Sequence, residues 1–280
     1  MKLGYSTWGM PLVEIDEAVP ILAAQGYNGI EITVIPGYST ELSSLKREER
    51  THIRNLFTEH GVEMPAIAGH TSLLDPDLKQ HTVNMNRLKD TVELAADFTM
   101  GGIVPCLDTT LGGQPNEWEL VLDRLMNELG LLVDFGAIHG VTIALEPHIG
   151  SSLCNVERTL FLLKEIDSPY LKLNYDISHF EVAGIPTLDS VTALAPYSVH
   201  THVKDQKGVA PDFEFLIPGE GDFDYVEYLN SMANTGYNDY ITVEISIMVQ
   251  RRDNYNPIKA AQQAYHTLQE AFYRSDVRWE

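Results

Sequence analysis

The stretch Leu171–Phe180, LKLNYDISHF, decides how this chain reads. Leu171, Leu173 and Tyr175 alternate with Lys172, Asn174 and Asp176, which is the period of a β-strand. The strand stops on a carboxylate, and His179 follows three residues later. Parallel α/β folds keep their chemistry at such carboxyl ends of strands.

Outward from this stretch, strand and helix patterns alternate. Strands are expected at 2–7, 29–33, 62–68, 102–106, 141–146, 171–176, 199–205 and 241–246. Helices are expected at 14–25, 45–60, 82–98, 116–139, 155–166, 188–194, 222–234 and 257–273, with Asn116 and Asp222 as N-caps. Alternation means parallel strands joined by crossover helices. Eight such units in 280 residues, with no linker, predict an α/β protein: a single (β/α)8 TIM barrel spanning 1–280, its active site at the C-terminal ends of the strands. A doubly wound sheet is the alternative, but no GxGxxG or GxxxxGK[ST] follows the first strand.

The formal charge is −21, from 40 acidic and 19 basic side chains, which repels phosphodiester backbones and argues against a nucleic-acid partner. No apolar run approaches the roughly 18 residues of a membrane helix, so no membrane partner is expected. MKLGYSTWGM has no apolar segment of the secretory kind, and Cys106 and Cys154 make no disulfide framework. A cytoplasmic location follows as the expectation, with both thiols inert.

Alternate residues of a barrel strand face the inside. In VTIALEPH, Val141, Ile143 and Leu145 take the helix side, leaving Glu146 inward and His148 on the same face. Asp176 points inward from LKLNYD. In VHTHVKD, Val199, Thr201 and Val203 go outward, leaving His200, His202 and Lys204 inside. Glu244 points inward from ITVEIS. A lone Glu at a strand end is usually a solvated rim residue, and a lone His usually a satisfied core residue. Four successive strand ends converging on one cavity are different, because unpaired charges there are costly to bury. One divalent cation held by Glu146, Asp176, His202 and Glu244 resolves that cost. Three carboxylates and an imidazole suit Mn²⁺ best, with Mg²⁺, Co²⁺, Fe²⁺ or Zn²⁺ as alternatives.

GIEIT, IALEPH, NYDISHF, HTHVKD and VEIS stand in the order of the strand motifs of the xylose isomerase-like barrel superfamily, which this chain resembles over essentially its whole length. That group includes sugar phosphate isomerases/epimerases, ketose 3-epimerases, inosose isomerases and dehydratases. The resemblance implies the same four metal ligands, the two glutamates as proton-transfer groups, and His179 as a contact to substrate oxygens. EPH, FLIPGEGDFDY and EISIMVQRR are similar to the branch related to C-glycoside deglycosidase catalytic subunits, which cleave 3-oxo-glycosides by elimination and work with a small second chain. Ketose 3-epimerases carry a further glutamate six residues after the first metal glutamate, and an arginine six after the metal histidine. This chain has Ser152 and Gly208 there.

The expected chemistry is proton abstraction beside a metal-bound carbonyl of a keto sugar or 3-oxo-glycoside. Glu146 and Glu244 are the candidate bases, with His148 as a third. Return of the proton elsewhere gives an isomerase or epimerase; loss of a group from the β-carbon gives a lyase, of the deglycosidase or inosose dehydratase type. Glu31 and His70 are expected to line the pocket or orient a ligand. Lys204 is expected at the mouth, paired with Asp205 and in reach of substrate; Trp8 and Phe180 are candidate walls for the sugar. The expected partners are a small carbohydrate and either further copies of the chain or a small second subunit. A DNA-repair nuclease on the same barrel is opposed by the charge, and a non-catalytic sugar-binding barrel has no need of the four converging ligands.

Overall fold

The computed structural model describes residues 1–279. Its strands are β1 Lys2–Ser6, β2 Gly29–Thr33, β3 Ala66–Ala68, β4 Cys106–Thr109, β5 Ile143–Leu145, β6 Leu171–Asp176, β7 Ser198–Val203, β8 Asp205–Val209, β9 Asp212–Leu216 and β10 Tyr240–Val243. Its helices are α1 Ile15–Gln25, α2 Arg47–His60, α3 Leu78–Asp97, α4 Trp118–His139, α5 Val156–Ile166, α6 Ile177–Val182, α7 Thr187–Leu194, α8 Tyr225–Asn234, α9 Ile247–Gln250 and α10 Pro257–Arg274. Eight parallel strands close in the order β1-β10-β7-β6-β5-β4-β3-β2, a TIM barrel, and β8 and β9 form a separate antiparallel hairpin.

The strand alternation divides the barrel into two buried regions. Leu3, Ile32, Ile67, Leu107, Ile143, Leu173, Tyr175, Val203 and Val243 face the helices and are fully buried in one continuous core with Leu22, Phe57, Leu88, Leu132, Leu229 and Leu268. Burying each such side chain contributes about 1.5–3 kcal/mol. Inside the barrel floor, Ala66, Cys106 and Ala144 form a small separate cluster against Val199. Helix ends follow local chemistry. Asn155 accepts from the Arg158 amide and Asn256 from the Lys259 amide. Gly61 and Gly140 end α2 and α4 with φ of 65° and 68°, which a side chain would resist.

Several expectations need correction. The fourth strand is Cys106–Thr109 rather than 102–106: Met100 and Ile103 pair in a turn, and Ile103 and Val104 are partly exposed there. The cap of α8 is Asp224, which accepts from the Val226 and Glu227 amides, not Asp222. Before α4 the capping box joins Gln114 and Glu117, not Asn116. Val199 packs into the floor rather than outward, because the β6–β7 register shifts between Leu173 and Asn174. The hairpin β8–β9 and the short α6 and α9 were not anticipated. No helix among the described residues is long and apolar enough to cross a membrane.

Candidate active site

Strand ends place the charged residues. Asp176 ends β6 and lies opposite His202 of β7, which lies opposite Thr242 of β10. Glu146 and Glu244 come one residue after β5 and β10, and their amides donate to Thr109 and Val203, which continues the ladders. The metal-ligating atoms of Glu146, Asp176, His202 and Glu244 all lie within 4.8 Å of one another, and all four residues are buried. Bonds of about 2.1 Å put opposite ligands of an octahedral ion about 4.2 Å apart, so the set fits a divalent cation after a small contraction. The four residues predicted as one constellation are therefore brought together.

Beneath them lies a second layer. His202 presents Nδ1 to Glu146 Oε1 at 3.3 Å and to Glu244 Oε2 at 3.6 Å. Its Nε2 lies 3.1 Å from Glu31 Oε1. Glu31 also faces His200 Nε2 at 3.1 Å and accepts from the Ser6 hydroxyl. A carboxylate on one ring nitrogen fixes which nitrogen faces the cation site. Glu31 is fully buried and does not line the cavity; its carboxylate faces His202 and His200 instead.

Electrostatics follow from this packing. Burial raises Glu31, but His202 and His200 outweigh it and hold the carboxyl well below the usual range. Burial also raises Glu146, and the His202 hydrogen bond, His70 and Lys204 bring it well below its ordinary value. Asp176 is lowered because Lys204 and His179 overcome its burial. His202 is raised well above the usual imidazole value, its burial outweighed by Glu31 and Glu146. His179 moves the other way, to about 3, under burial and the neighbouring His148.

Lys204 corrects an expectation. It pairs with Asp176 and Glu244 across the mouth, not with Asp205. Asp205 instead accepts from the amides of Gln206, Gly219 and Phe223, tying the base of the hairpin to the segment before α8.

Above the ligands is a cavity of about 370 Å³ whose walls include Glu146, Glu244, His148, His179, Lys204 and His70. Its volume is that of a small-molecule site. Trp8, Phe215 and Ile247 supply apolar wall. Asp176 and His202 do not line it, so of the four ligands only the two glutamates reach the space a substrate would take. The rings of His148 and His179 lie tilted against each other with centroids 4.0 Å apart, and Phe215 meets His179 edge-on at 5.3 Å. Phe180 packs on Tyr175 in the core, away from the cavity. Ser152 is buried and donates to the Gly112 carbonyl, and Gly208 lies in the hairpin; neither lines the cavity.

Sequence reasoning missed Asp108, Asn174 and Phe215. Asp108 follows Leu107 on β4, fully buried and 3.5 Å from His70 Nε2. Burial and the Glu31 and Glu146 carboxylates push it well above the usual carboxylate range, against smaller pulls from His202 and Asn174. Asn174 lies on the inward face of β6, 3.1 Å from His202 Nδ1. The alternation Cys106-Leu107-Asp108, ending on a carboxylate like the later strands, was the available signal for Asp108.

A protein-family model described as xylose isomerase-like TIM barrel matches residues 19–271. Fructoselysine 3-epimerase of Escherichia coli O157:H7 is 27% identical over 261 residues, 89% of this chain and 91% of that protein. Inosose dehydratase of Lactiplantibacillus plantarum is 27% identical over 55% of this chain and 54% of its own length. An uncharacterized protein of Methanocaldococcus jannaschii is 29% identical over 60% of this chain and 61% of its own. The crystal structure of IolI with a binding zinc atom superposes with a TM-score of 0.82 at 18% identity, over 99% of this chain and 100% of that one. The matched span covers nearly every βα unit and the whole set of strand-end ligands, and relatives with an assigned activity are enzymes: the chain belongs to the xylose isomerase-like TIM barrel family and is an enzyme.

Proposed function

We propose that this protein is a divalent-cation-dependent enzyme acting on a keto sugar or 3-oxo-glycoside, of the sugar isomerase/epimerase type. The observation that carries this reading is the division of labour among the four ligands: Asp176 and His202 lie below the cavity, while Glu146 and Glu244 both hold the ion site and line the cavity. A bound divalent cation, with Mn²⁺ the expected ion, would polarise a carbonyl and stabilise the negative charge that develops on its oxygen. Glu146 or Glu244 takes the proton from the adjacent carbon, and the other returns one; His148 lines the same space as a third candidate base. His179, neutral at pH 7, donates or accepts a hydrogen bond with a sugar hydroxyl. Lys204 offers an ammonium to a substrate oxygen, and Trp8 and Phe215 pack on the sugar's apolar faces.

A second reading, elimination by the same enolate chemistry, draws support from two observations. The glutamate and arginine of ketose 3-epimerases are replaced by Ser152 and Gly208, neither of which lines the cavity. One relative is named for a dehydration. The reaction's partner in either case is a small carbohydrate in the cytoplasm.

The test is hydrogen exchange. Protein loaded with Mn²⁺ is incubated with a panel of keto sugars and 3-oxo-glycosides in D₂O and followed by NMR. Deuterium entering beside the carbonyl, and lost in both Glu146→Gln and Glu244→Gln, is the expected result. Epimeric or isomeric product then identifies the first reading and an unsaturated product the second. Exchange that persists in both variants overturns the assignment of the bases.

A further inference from the structure

Two loops of the cavity wall are laced together by residues that do not line the cavity themselves. Residues 110–117 follow β4 and residues 146–155 follow β5. Thr110 and Gly112 line the cavity from the first loop, and His148, Ile149 and Ser151 from the second. The Ser152 amide and hydroxyl both donate to the Gly112 carbonyl, at 3.1 and 2.8 Å. One nitrogen of Arg158, Nη1, donates to the Ser152 carbonyl at 2.8 Å and to the Pro115 carbonyl at 2.9 Å, one acceptor in each loop. The guanidinium is itself held in place, 5.0 Å over the ring of Trp118 at the start of α4. The loops come so close that a Cβ on Gly113, where φ is 72°, would meet the Ser152 side chain at 3.1 Å. Within the second loop, the Ser151 hydroxyl lies 2.9 Å from the carbonyls of both His148 and Leu153, and the His148 amide donates to Leu153. The backbone of His148 is therefore tied to both neighbours of Ser152.

We infer that Arg158 is a positioning residue for the cavity: acting through Ser152, it joins the two loops into one preformed wall and fixes where His148 stands against His179. Hydrogen bonds from a charged donor are among the strongest a side chain makes, and Arg158 places one on each loop. Position 152, where ketose 3-epimerases carry a glutamate, here serves the wall instead of the cavity. If the loops could part, only the fraction of molecules with the wall assembled would bind substrate, and apparent affinity would fall by that fraction. The lacing keeps that fraction near one before substrate arrives. Arg158 thus governs KM, and the chemical step is left to the groups that line the cavity. This deepens the proposed function by adding a residue outside the cavity that sets substrate affinity, and its substrate readout rests on that reading.

The experiment compares the full chain with Arg158→Met, which keeps the aliphatic stem and loses both donors. Amide hydrogen exchange, read by mass spectrometry, is expected to rise about tenfold or more in both loops of the variant and to stay unchanged in α10. In protein carrying isotope-labelled histidine, the His148 Cε1–H signal, assigned with His148→Gln, is expected to move in the variant as the ring leaves its place beside His179. For the keto sugar that takes up deuterium fastest with the Mn²⁺-loaded wild type, KM is expected to rise about tenfold while kcat changes less than about twofold. Loop exchange at the wild-type rate overturns the clamp. Loosened loops with the His148 signal and KM both unmoved overturn the positioning role, and so does a fall in kcat at unchanged KM. Should the wild type carry deuterium into no sugar, the proposed function falls, and Arg158 is decided by loop exchange and the His148 signal alone. Arg158→Lys keeps a cation over Trp118 on a shorter reach; it is expected to give the same changes at smaller size, and it decides the matter should Arg158→Met fail to fold.

Discussion

The floor and the mouth of this barrel are built from the same strands and differ completely. On β4, Cys106 belongs to the floor and Asp108 to the mouth; on β5 and just past it, Ala144 and Glu146 divide the same way. Two residues, about 7 Å of strand, separate a layer of small apolar side chains from a layer of carboxylates and imidazoles. The floor is satisfied by contact alone. The mouth is held against its own repulsion by what lies behind it, since Leu107, Leu145, Tyr175, Val203 and Val243 on the outward faces are all buried in the main core. Apolar burial thus resides in the outer layer, and the interior carries paired charges instead.

The sharpest way to break this contrast is Glu244→Ala. Mn²⁺ affinity, measured by titration calorimetry, should fall by more than about 100-fold, while the urea midpoint of the cation-free protein stays nearly unchanged. A large loss of stability would show that the mouth also holds the fold. Glu31→Gln should weaken Mn²⁺ by about 10–100-fold, because the amide holds His202 less firmly than the carboxylate that now faces its Nε2; unchanged affinity would remove Glu31 from the site. Ala144→Leu is the converse experiment. Overpacking the floor should cost about 1–3 kcal/mol in urea unfolding and leave the bound ion count alone.

The smallest effect lies just outside the floor. Burial raises Glu63, but the Lys2 ammonium and the Tyr240 hydroxyl hold it below its usual value. A carboxyl lowered in the folded state stabilises fully above its unfolded value of 4.5 and loses that contribution as pH falls through the folded one. The pair is about one-third exposed, so Glu63→Gln should cost only about 0.2–1 kcal/mol at pH 7. The difference between wild type and variant should shrink as pH falls below 4.5, and a difference that does not change with pH would assign it to packing instead.

The later strands were legible from the alternation at their carboxyl ends: ALE, NYD and TVE each place one apolar residue outward before the functional one, and HTH places Thr201 there. The fourth was not. Gly102-Ile103-Val104-Pro105 has the apolar density of a strand, yet these residues form a turn, and the true strand is four residues long. That displacement hid Asp108, one of the buried carboxylates of the interior. Lys204 was legible as an inward residue but not its partners, because Asp205 is adjacent in sequence whereas Asp176 and Glu244 are brought close only by barrel closure. The hairpin escaped for another reason: DQKGV and DFEFL are only five residues each, and their pairing across Ala210 and Pro211 makes them strands.

That hairpin has a practical consequence. It is a self-paired ribbon whose first residue, Asp205, is fastened to Gly219 and Phe223, so its two roots sit close together on the barrel. It meets the cavity through Phe215, with Phe213 meeting that ring edge-on at 5.2 Å. A ribbon with neighbouring roots and an aromatic residue beside them is a transplantable part. Exchanging residues 206–218 between relatives, or building a small library at Phe213 and Phe215, reshapes the wall of the pocket while every ligand and every barrel strand keeps its residues. Substrate range could then be evolved from a segment that lies outside the barrel ladder.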